Sequence, residues 1–311
     1  MNRFMNTTSS PILVTGAHRS GTTWVGKMLG SNPQTAYISE PLNVLHRRGI
    51  YSAGVDQWYA YINTENENKY LTAFQEMLNY RYYLFMELAS LRSRKDLFRM
   101  GRDLAIFAKG KLRGQRALIK DPFAVFSAPW FSQKLNCKVV ITIRHPGGFA
   151  SSLKRLNWSF DFRNLLEQPM LMRDHLEKDR ADMEKIQSDD IVGQSALLWR
   201  MIYRSVHATR SLFPDFKIVR HEDLSLDPVA GYKSLYESLG LDFTNKVRDT
   251  IFNSSSSENP AELSKKKTHS VKLDSRANLG NWKKRLAPEE ITRIRKMTED
   301  VSPLFYSDNE W

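Results

Sequence analysis

A loop with two glycines, residues 16–23 (GAHRSGTT), follows an apolar run and precedes a helical pattern. Gly16 and Gly21 permit a tight turn and a close approach of the backbone to a ligand. Several backbone N–H groups converge in such a loop, and the dipole of the following helix favours an anion at its N-terminus. The loop is therefore a candidate phosphate-binding site.

The spacing of this loop is that of a Walker A motif, G-x-x-x-x-G-K-[ST], with Thr22 in place of the lysine and Arg19 as the nearest cation. A Walker A lysine reaches the β- and γ-phosphates of a nucleoside triphosphate. Without it, the loop suits one terminal phosphate better than triphosphate hydrolysis. An ordinary glycine-rich turn is the alternative interpretation. Trp24 is either a core residue or a surface on which a purine stacks.

A second candidate anion site follows another apolar run, at Arg144-His145-Pro146. An arginine at the end of a parallel strand lies in the crevice where ligands of open α/β sheets bind. Ser152 follows eight residues later on a helical pattern, and an arginine with a nearby hydroxyl suits a phosphate. Together with the first loop, this pair predicts a ligand with two separate phosphate groups.

Two further charged residues follow predicted strands and should reach the same crevice. Glu40 is a candidate general base that takes a proton from a hydroxyl nucleophile, although a helix-capping or ion-paired glutamate is the alternative. Lys120 brings a cation to this edge, or is a solvated lysine in a turn. His18 and His145 are alternative bases. No cluster of His, Cys, Asp and Glu has the spacing of metal ligands, so we expect no metal.

The elements that position these residues alternate between short apolar runs and helical patterns. Predicted strands cover residues 12–14, 36–38, 117–119, 138–143 and 216–219. Predicted helices cover residues 22–29, much of 70–107, 126–135, 149–156, 191–212, 228–239 and 288–298. This order predicts an α/β fold with a doubly wound parallel sheet flanked by helices. We expect one domain over residues 1–311, with a mostly helical insertion at 51–114 and a mobile polar loop at 253–267.

The chain has 311 residues, of which 46 are basic and 34 acidic, so its net charge is +12. This charge attracts polyanions: nucleic acid, an anionic membrane surface, acidic glycans or a phosphorylated cofactor. No apolar stretch approaches the ~18 residues of a membrane-spanning helix, and the first residues lack the apolar region of a signal peptide. The only cysteine, Cys137, cannot form an internal disulfide. These features predict a cytoplasmic protein.

The motifs resemble those of sulfotransferases that use 3′-phosphoadenosine 5′-phosphosulfate (PAPS). R-S-G-T-T-W is similar to their 5′-phosphosulfate loop, and Arg144 with Ser152 to their 3′-phosphate motif. K-D-P-F at 120–123, and Glu40 placed 21 residues after Arg19, look closest to the tyrosylprotein branch. L-G-N-W-K at 279–283 resembles the family's C-terminal G-x-W-K element. The cofactor contacts that the resemblance implies are Arg19, Ser20, Gly21, Thr22, Thr23, Trp24, Arg144, Ser152, Ser275 and Arg276.

The resemblance implies a P-loop-like fold, PAPS as co-substrate and 3′,5′-ADP as product, without a metal. It implies in-line transfer of a sulfuryl group to an acceptor hydroxyl, with Glu40, Arg19 and Lys120 as catalytic residues. We expect Glu40 to act as general base, and the two cations to stabilise charge that develops on the transferred group and the leaving oxygen. Residues 253–281 are expected to form a mobile lid that closes over the bound nucleotide.

The acceptor is expected to be a carbohydrate or a glycolipid, with a small secondary metabolite or a peptide hydroxyl as the alternative. A nucleic-acid partner is not expected. Two more distant alternatives remain open at this point. One is a P-loop kinase or NTPase, which the absence of the lysine disfavours. The other is a polyanion-binding module without catalytic activity.

Overall fold

The structure is a computed structural model that describes residues 10–45, 48–262 and 271–311. Five parallel strands form its sheet, in the order β2-β3-β1-β4-β5. They are β1 (Ile12–Gly16), β2 (Thr35–Ser39), β3 (Arg116–Lys120), β4 (Lys138–Ile143) and β5 (Lys217–Arg220). Each of the five predicted strands is thus present, with its ends shifted by no more than two residues.

Helices connect the strands and cover the sheet. The α-helices are α1 (Thr22–Leu29), α2 (Leu71–Leu78), α3 (Leu84–Leu88), α4 (Arg94–Arg113), α5 (Ala128–Leu135), α6 (Pro146–Leu156), α7 (Arg163–Leu166), α8 (Pro169–Leu171), α9 (Arg180–Lys185), α10 (Ile191–Thr209), α11 (His221–Leu226), α12 (Pro228–Leu239), α13 (Asn245–Ser255), α14 (Asn281–Arg285) and α15 (Pro288–Met297). The predictions for α1 and α12 agree with these bounds, while the sequence did not predict α7, α8, α9, α11, α13 and α14.

Both faces of the sheet are buried, because successive residues of its strands contribute to different parts of the core. Leu13 belongs to a large cluster with Phe131 of α5 and Trp199 of α10. Its neighbours on either side belong to a second cluster with Leu29 of α1 and Leu235 of α12. Strands that are buried on both faces have nearly continuous apolar sequences, as these strands do. The predicted α/β class, with a P-loop-like parallel sheet between helices, is confirmed.

The register of the sheet brings the predicted site residues to one edge. Gly16 at the end of β1 pairs with Thr142 of β4, and Ser39 at the end of β2 pairs with Lys120 at the end of β3. Ile143 of β4 pairs with Arg220 of β5. The central strand β1 lies between β3 and β4. The chain passes from β1 to β2 and β3 on one side and then crosses to β4 and β5 on the other, so the strand order reverses at β1. Open α/β sheets bind ligands at such a switch point.

The α-helices of the insertion at 51–114 begin only at residue 71, after a short 3-10 helix at Glu67–Lys69. The insertion contains α2, α3 and α4, and Tyr80, which separates α2 from α3, has a positive φ of 58°. Helix α13 extends to Ser255 and so enters the predicted polar loop, because Val247 and Ile251 bury one side of it against α1. Among the described residues, no helix is long and apolar enough to cross a membrane.

Candidate active site

The loop after β1 turns sharply so that its backbone faces the end of the sheet. A Cβ atom at Gly16, whose φ is +138°, would overlap with the carbonyl oxygen of Thr142. Arg19 and Gly21 also have positive φ values, 68° and 103°. No side chain caps the N-terminus of α1, for which Gly21 is the N-cap residue. The first N–H groups of α1 are therefore available to a ligand, as the sequence predicts.

A cleft opens in front of this loop. It is lined by Arg19, Gly21, Thr22, Thr23, Trp24, Arg144, Ser152, Arg155, His221, Ser254, Glu262, Val271, Leu273, Ser275, Asn278 and Arg285. Eight of the ten predicted cofactor contacts therefore meet in one place, although they come from the loop after β1, from α1, from the residue after β4, from α6 and from the C-terminal segment. Four arginines and one glutamate line the cleft, so its charge is positive and suits an anionic ligand.

The two predicted anion sites are adjacent in this cleft. The Nε–H group of Arg19 donates a hydrogen bond to Ser152 Oγ at 3.2 Å, which links the loop to α6. Burial, together with the positive charges of Arg144 and Arg155, lowers the pKa of Arg19 to about 10. The arginine stays charged at neutral pH, but its cationic neighbours make that charge costly. A bound anion would relieve this repulsion.

Trp24 forms the apolar wall of the cleft. Its indole N–H donates a hydrogen bond to Ser254 Oγ at 3.1 Å, and the ring packs edge-on against His221 and Tyr232. Burial and the charge of Arg144 lower the pKa of His221 to about 3, so this imidazole is neutral at physiological pH. A half-buried indole beside a neutral imidazole offers a purine a flat, uncharged surface.

Ser20 and Arg276 do not line the cleft. Ser20 is buried, and its hydroxyl lies 2.5 Å from the carbonyl oxygen of Ala17 and 2.7 Å from Thr142 Oγ1. It therefore holds the loop against β4. Arg276 is exposed, and its Nε–H group donates to the carbonyl oxygen of Leu226 at 2.8 Å. Contact of either side chain with a cofactor stays a prediction from the family resemblance.

Glu40 and Lys120 meet at the carboxyl ends of β2 and β3, where they form an ion pair. Lys120 is buried, and the Glu40 N–H group donates to the Lys120 carbonyl oxygen at 2.7 Å. Asn43 Nδ2 donates to the other carboxylate oxygen of Glu40 at 2.7 Å. Glu40 has a φ of +54°, a strained conformation of the kind that clusters at functional sites. The ion pair considered as an alternative is present, and it places the carboxylate beside a cation.

Two histidines were alternative bases, and the structure separates them. His145 is 2% exposed, and its Nδ1 accepts a hydrogen bond from the Gly147 N–H group at 3.2 Å. Its ring stacks on Trp282 at 4.7 Å, and burial lowers its pKa to about 3. His145 therefore caps α6 and joins it to α14. His145 does not line the cleft, and its Nε2 is buried without a hydrogen-bond partner among the described residues.

His18 lies beside Arg19 and within electrostatic range of Glu40. Its Nδ1 is 2.6 Å from the hydroxyl of Tyr59, which also accepts the His18 backbone N–H at 3.2 Å. Burial and the charge of Arg19 lower the pKa of His18 to about 4, so its ring is neutral at physiological pH. Tyr59 belongs to the insertion and has a φ of +58°. Tyr59 of the insertion is thus hydrogen-bonded to His18 of the glycine loop at 16–23.

Aromatic side chains surround His18. Its ring is close to those of Tyr59, Phe123, Phe149 and Phe160, and Trp58 packs on Phe123 at 4.4 Å. Half-exposed Trp158 lies against the guanidinium group of Arg19 at 5.6 Å. Aromatic residues are common in protein cores, so the sequence alone does not indicate that these rings gather around His18. Tyr59, Phe123 and Phe149 are buried in the core, so the aromatic surface that is partly exposed near His18 and Arg19 comes from Trp58, Phe160 and Trp158.

Sequence reasoning missed several residues that line the cleft. Arg155 follows Ser152 by three residues, so helical spacing alone places it on nearly the same side of α6. Arg285 follows the G-x-W-K element, but nothing in the sequence directs it to the cleft. Ser254 and His221 reach the cleft through the packing of α13 and α11, which no local pattern indicates.

The predicted lid at 253–281 is described only in part, since residues 263–270 lie outside the described residues. Its two described portions pair with each other. Leu273 N–H donates to the Ser254 carbonyl oxygen at 3.0 Å, and Asp274 N–H to that of Pro260 at 3.0 Å. Glu262 contacts Arg155 and Arg285 across the cleft. The mobility of this segment stays a prediction.

Comparisons with known proteins place this geometry in a family. A model of the sulfotransferase family matches residues 11–245. Carbohydrate sulfotransferase 1 of Danio rerio is 28% identical over 190 residues, which are 60% of this chain and 39% of that protein. The chain therefore spans well under half the length of this relative.

Two solved structures are similar over nearly the whole chain. The sulfotransferase domain of the Synechococcus PCC 7002 olefin synthase is 16% identical, has a TM-score of 0.49 and covers 99% of both chains. A mouse sulfotransferase in complex with PAP is 14% identical, with a TM-score of 0.44 over 97% of this chain and 86% of that one. The family model, which matches most of the chain, decides its membership: this protein belongs to the sulfotransferase family.

Proposed function

We propose that this chain transfers a sulfuryl group from PAPS to a hydroxyl group of an acceptor. The observation that carries the proposal is the cleft in which Arg19, Arg144 and the uncapped N-terminus of α1 converge beside Trp24. Two arginines from different elements suit a ligand with two separate anionic groups, and the indole suits a purine. PAPS carries these groups, and its use is expected of the family.

Each element of the cleft has a role in this proposal. The N–H groups at the start of α1, with Thr22 and Thr23, would hold the 5′-phosphosulfate. Arg144 and Ser152 would hold the 3′-phosphate, and the adenine would pack on Trp24. Among the described residues, no group of three or more His, Cys, Asp and Glu side chains is arranged to bind a metal ion. The positive charge at the proposed reaction centre comes from Arg19 and Lys120.

In the proposed reaction, Glu40 accepts the proton of the acceptor hydroxyl while that oxygen forms a bond to sulfur. The bond between sulfur and the phosphate oxygen breaks, and 3′,5′-ADP leaves with the electron pair. Lys120, which is ion-paired with Glu40, and Arg19 would stabilise charge that moves to the transferred group. Preorganised charge of this kind contributes ~3–4 kcal/mol per donor in other enzymes.

We propose a carbohydrate or a glycolipid as the acceptor. The name of the Danio rerio relative supports a sugar. The partly exposed rings of Trp58, which packs on Phe123, and of Trp158, which lies against Arg19, support an acceptor with a flat apolar face. Sugar rings and phenols both have such faces. A small metabolite or a peptide hydroxyl is therefore the second candidate, and a cytoplasmic location stays a prediction.

Mass spectrometry of a panel of oligosaccharides, glycolipids, phenols and peptides, each incubated with PAPS and the protein, tests the proposal. We expect one class to gain a sulfuryl group with equimolar formation of 3′,5′-ADP. Turnover of ATP with Mg²⁺ in place of PAPS would instead support a kinase or NTPase. Salt-sensitive polyanion binding without any product would support a non-catalytic module.

We also propose that residues 253–281 close over the nucleotide. Hydrogen exchange of this segment, measured with and without 3′,5′-ADP, should show protection that depends on the ligand. Leu273 and Asp274 donate hydrogen bonds to α13 and to the loop that follows it. The alternative is therefore that the amides of this segment are partly protected even without the ligand. Slow exchange in both states would contradict the lid.

A further inference from the structure

Helix α4, in the insertion at 51–114, has an unusual outer surface. Every exposed residue of this 20-residue helix is either a basic residue or an apolar residue or glycine. Its two acidic residues, Asp96 and Asp103, are half-buried and contact Arg99 and Arg102. The outer surface therefore presents positive and apolar groups without a single carboxylate.

The apolar residues form one continuous stripe along the outside of α4. Leu97, Gly101, Leu104, Ala105, Ala108 and Leu112 are spaced as neighbours on one side of a helix, and Phe98 adjoins them. The side chain of Leu112 is 86% exposed and that of Phe98 81%. A Cβ atom at Gly101 would meet no atom within 4 Å. We call this stripe the outer face of α4.

The opposite side of α4 fixes the helix to the rest of the protein, so the exposure is not a sign of a loosely attached element. Phe107 is buried against Tyr80 and Tyr82, and a Cβ atom at Gly110 would lie 2.6 Å from the Tyr80 ring. Ser93 caps the N-terminus of α4. The helix is therefore apolar on two sides, and only one of them has a partner among the described residues.

Basic residues border the outer face on both sides. Lys111 lies on one side, while Lys95, Arg102, Lys109 and Arg113 lie on the other. Phe85 and Leu88 add exposed apolar surface on α3, which contacts α4 through Glu87 and Arg99 at 3.9 Å. A helix with exposed leucine and phenylalanine flanked by lysine and arginine has the pattern of a helix that lies in a membrane interface.

We infer that the outer face of α4 docks on the surface of a lipid bilayer that contains anionic lipids. The apolar stripe would enter the boundary between head groups and acyl chains, and the flanking cations would pair with lipid phosphates and carboxylates. The outer face spans about 23 Å along the helix, at ~1.5 Å per residue. This docking adds to the proposed sulfuryl transfer and does not depend on it.

Other occupants fit this surface less well. Two copies of the chain meeting through α4 would bring together two faces on which all exposed charges are positive. A nucleic acid would meet the cations, but most of the apolar stripe is leucine and alanine, and Phe98 is the one aromatic ring on the outer face of α4 on which a base could stack. A bilayer interface is anionic and apolar at the same time, which matches both components of the surface.

The test is co-sedimentation of the full chain with vesicles made of two parts phosphatidylcholine and one part phosphatidylserine. We expect binding that exceeds binding to pure phosphatidylcholine vesicles and falls as salt is added, because salt screens the cations. The variant Phe98→Ser/Leu104→Ser/Leu112→Ser keeps every charge and should bind at least about tenfold more weakly, since it removes the apolar contact.

The matched control is Leu212→Ser/Leu304→Ser, which removes exposed leucines away from α4 and should bind as the parent does. Circular dichroism melting checks that each variant is folded. Equal binding of the α4 variant and the parent would overturn the inference, because attraction by net charge alone would then suffice. Absence of vesicle binding would overturn it as well. Self-association lost in the α4 variant, without vesicle binding, would show that a second copy is the occupant.

Discussion

At the scale of the residue, the site combines a carboxylate, a buried lysine and several arginines that share one edge of the sheet. Glu40 contacts Lys120, and Arg19 lies beside Arg144. Arg19, Glu40 and Tyr59 adopt positive φ values around the proposed reaction centre. Strained conformations of non-glycine residues cost about 1–3 kcal/mol each and persist where packing fixes them. The presence of three such residues near one another supports the proposed catalytic role of Glu40 and Arg19.

The first prediction at this scale concerns Glu40. Glu40→Gln keeps the size of the side chain but cannot accept a proton, so kcat should fall by ~10²–10⁴ while the affinity for 3′,5′-ADP stays nearly unchanged. The control is Glu290→Gln, an ion-paired glutamate on the surface, which should leave kcat unaltered. Near-normal turnover by Glu40→Gln would contradict its role as general base and would make His18, the histidine next to Arg19, the next candidate.

The second prediction concerns Arg144 and the selectivity for a ligand with two phosphates. In thermal shift measurements, 3′,5′-ADP at ~100 times its Kd should stabilise the parent by about 2.7 kcal/mol, and AMP should do much less. Arg144→Ala should remove most of this preference, because it removes a cation of the cleft. Arg163→Ala, a surface arginine paired with Asp161, should keep it. Equal shifts for both nucleotides in the parent would contradict two-phosphate binding.

At the scale of the element, close contact between α1 and β3 seats the buried lysine. A Cβ atom at Gly26 of α1 would lie 2.7 Å from Lys120 Cγ and 3.0 Å from the Tyr37 ring. These atoms belong to packed strands and have little room to move. Helix α1 thus has two functions, since it presents its N-terminus to the ligand and forms one wall around Lys120.

The third prediction compares two glycines in helices. Gly26→Ala should destabilise the protein by about 1–3 kcal/mol through overpacking and should lower kcat by displacing Lys120. Gly101→Ala, on the open side of α4, should stabilise it by roughly 0.5–1 kcal/mol, because alanine favours the helix. Urea denaturation measures both values. Comparable stability of the two variants would show that α1 can shift without affecting β3.

At the scale of the whole molecule, buried histidines make stability depend on pH. His145 joins α6, Trp282 of α14 and Trp311, and burial lowers its folded-state pKa from 6.5 to about 3. The unfolded chain therefore binds a proton below pH 6.5 that the folded protein excludes. The contribution of this neutral histidine to stability is fully present above pH 6.5 and is lost as the pH falls toward 3.

The fourth prediction follows from this linkage. Between pH 7 and pH 5, the parent should lose about 2 kcal/mol more of its unfolding free energy than His145→Asn, in which asparagine supplies an acceptor for the Gly147 N–H group without titrating. Urea denaturation of both proteins at each pH measures the difference. Parallel pH profiles would show that His145 is protonated in the folded state or accessible to water.

The sequence by itself determined the strands, the glycine loop and the position of Arg144 and Ser152 in the cleft. These features are local, since buried parallel strands are continuously apolar, glycines mark the turn, and strand ends share one edge. The tertiary structure alone decided that Ser20 faces the sheet, that His145 is structural and that Glu40 pairs with Lys120. It also brought Arg285, His221 and Ser254 to the cleft. Such contacts join residues far apart in the chain, and packing selects them through shape and burial, which no local spacing records.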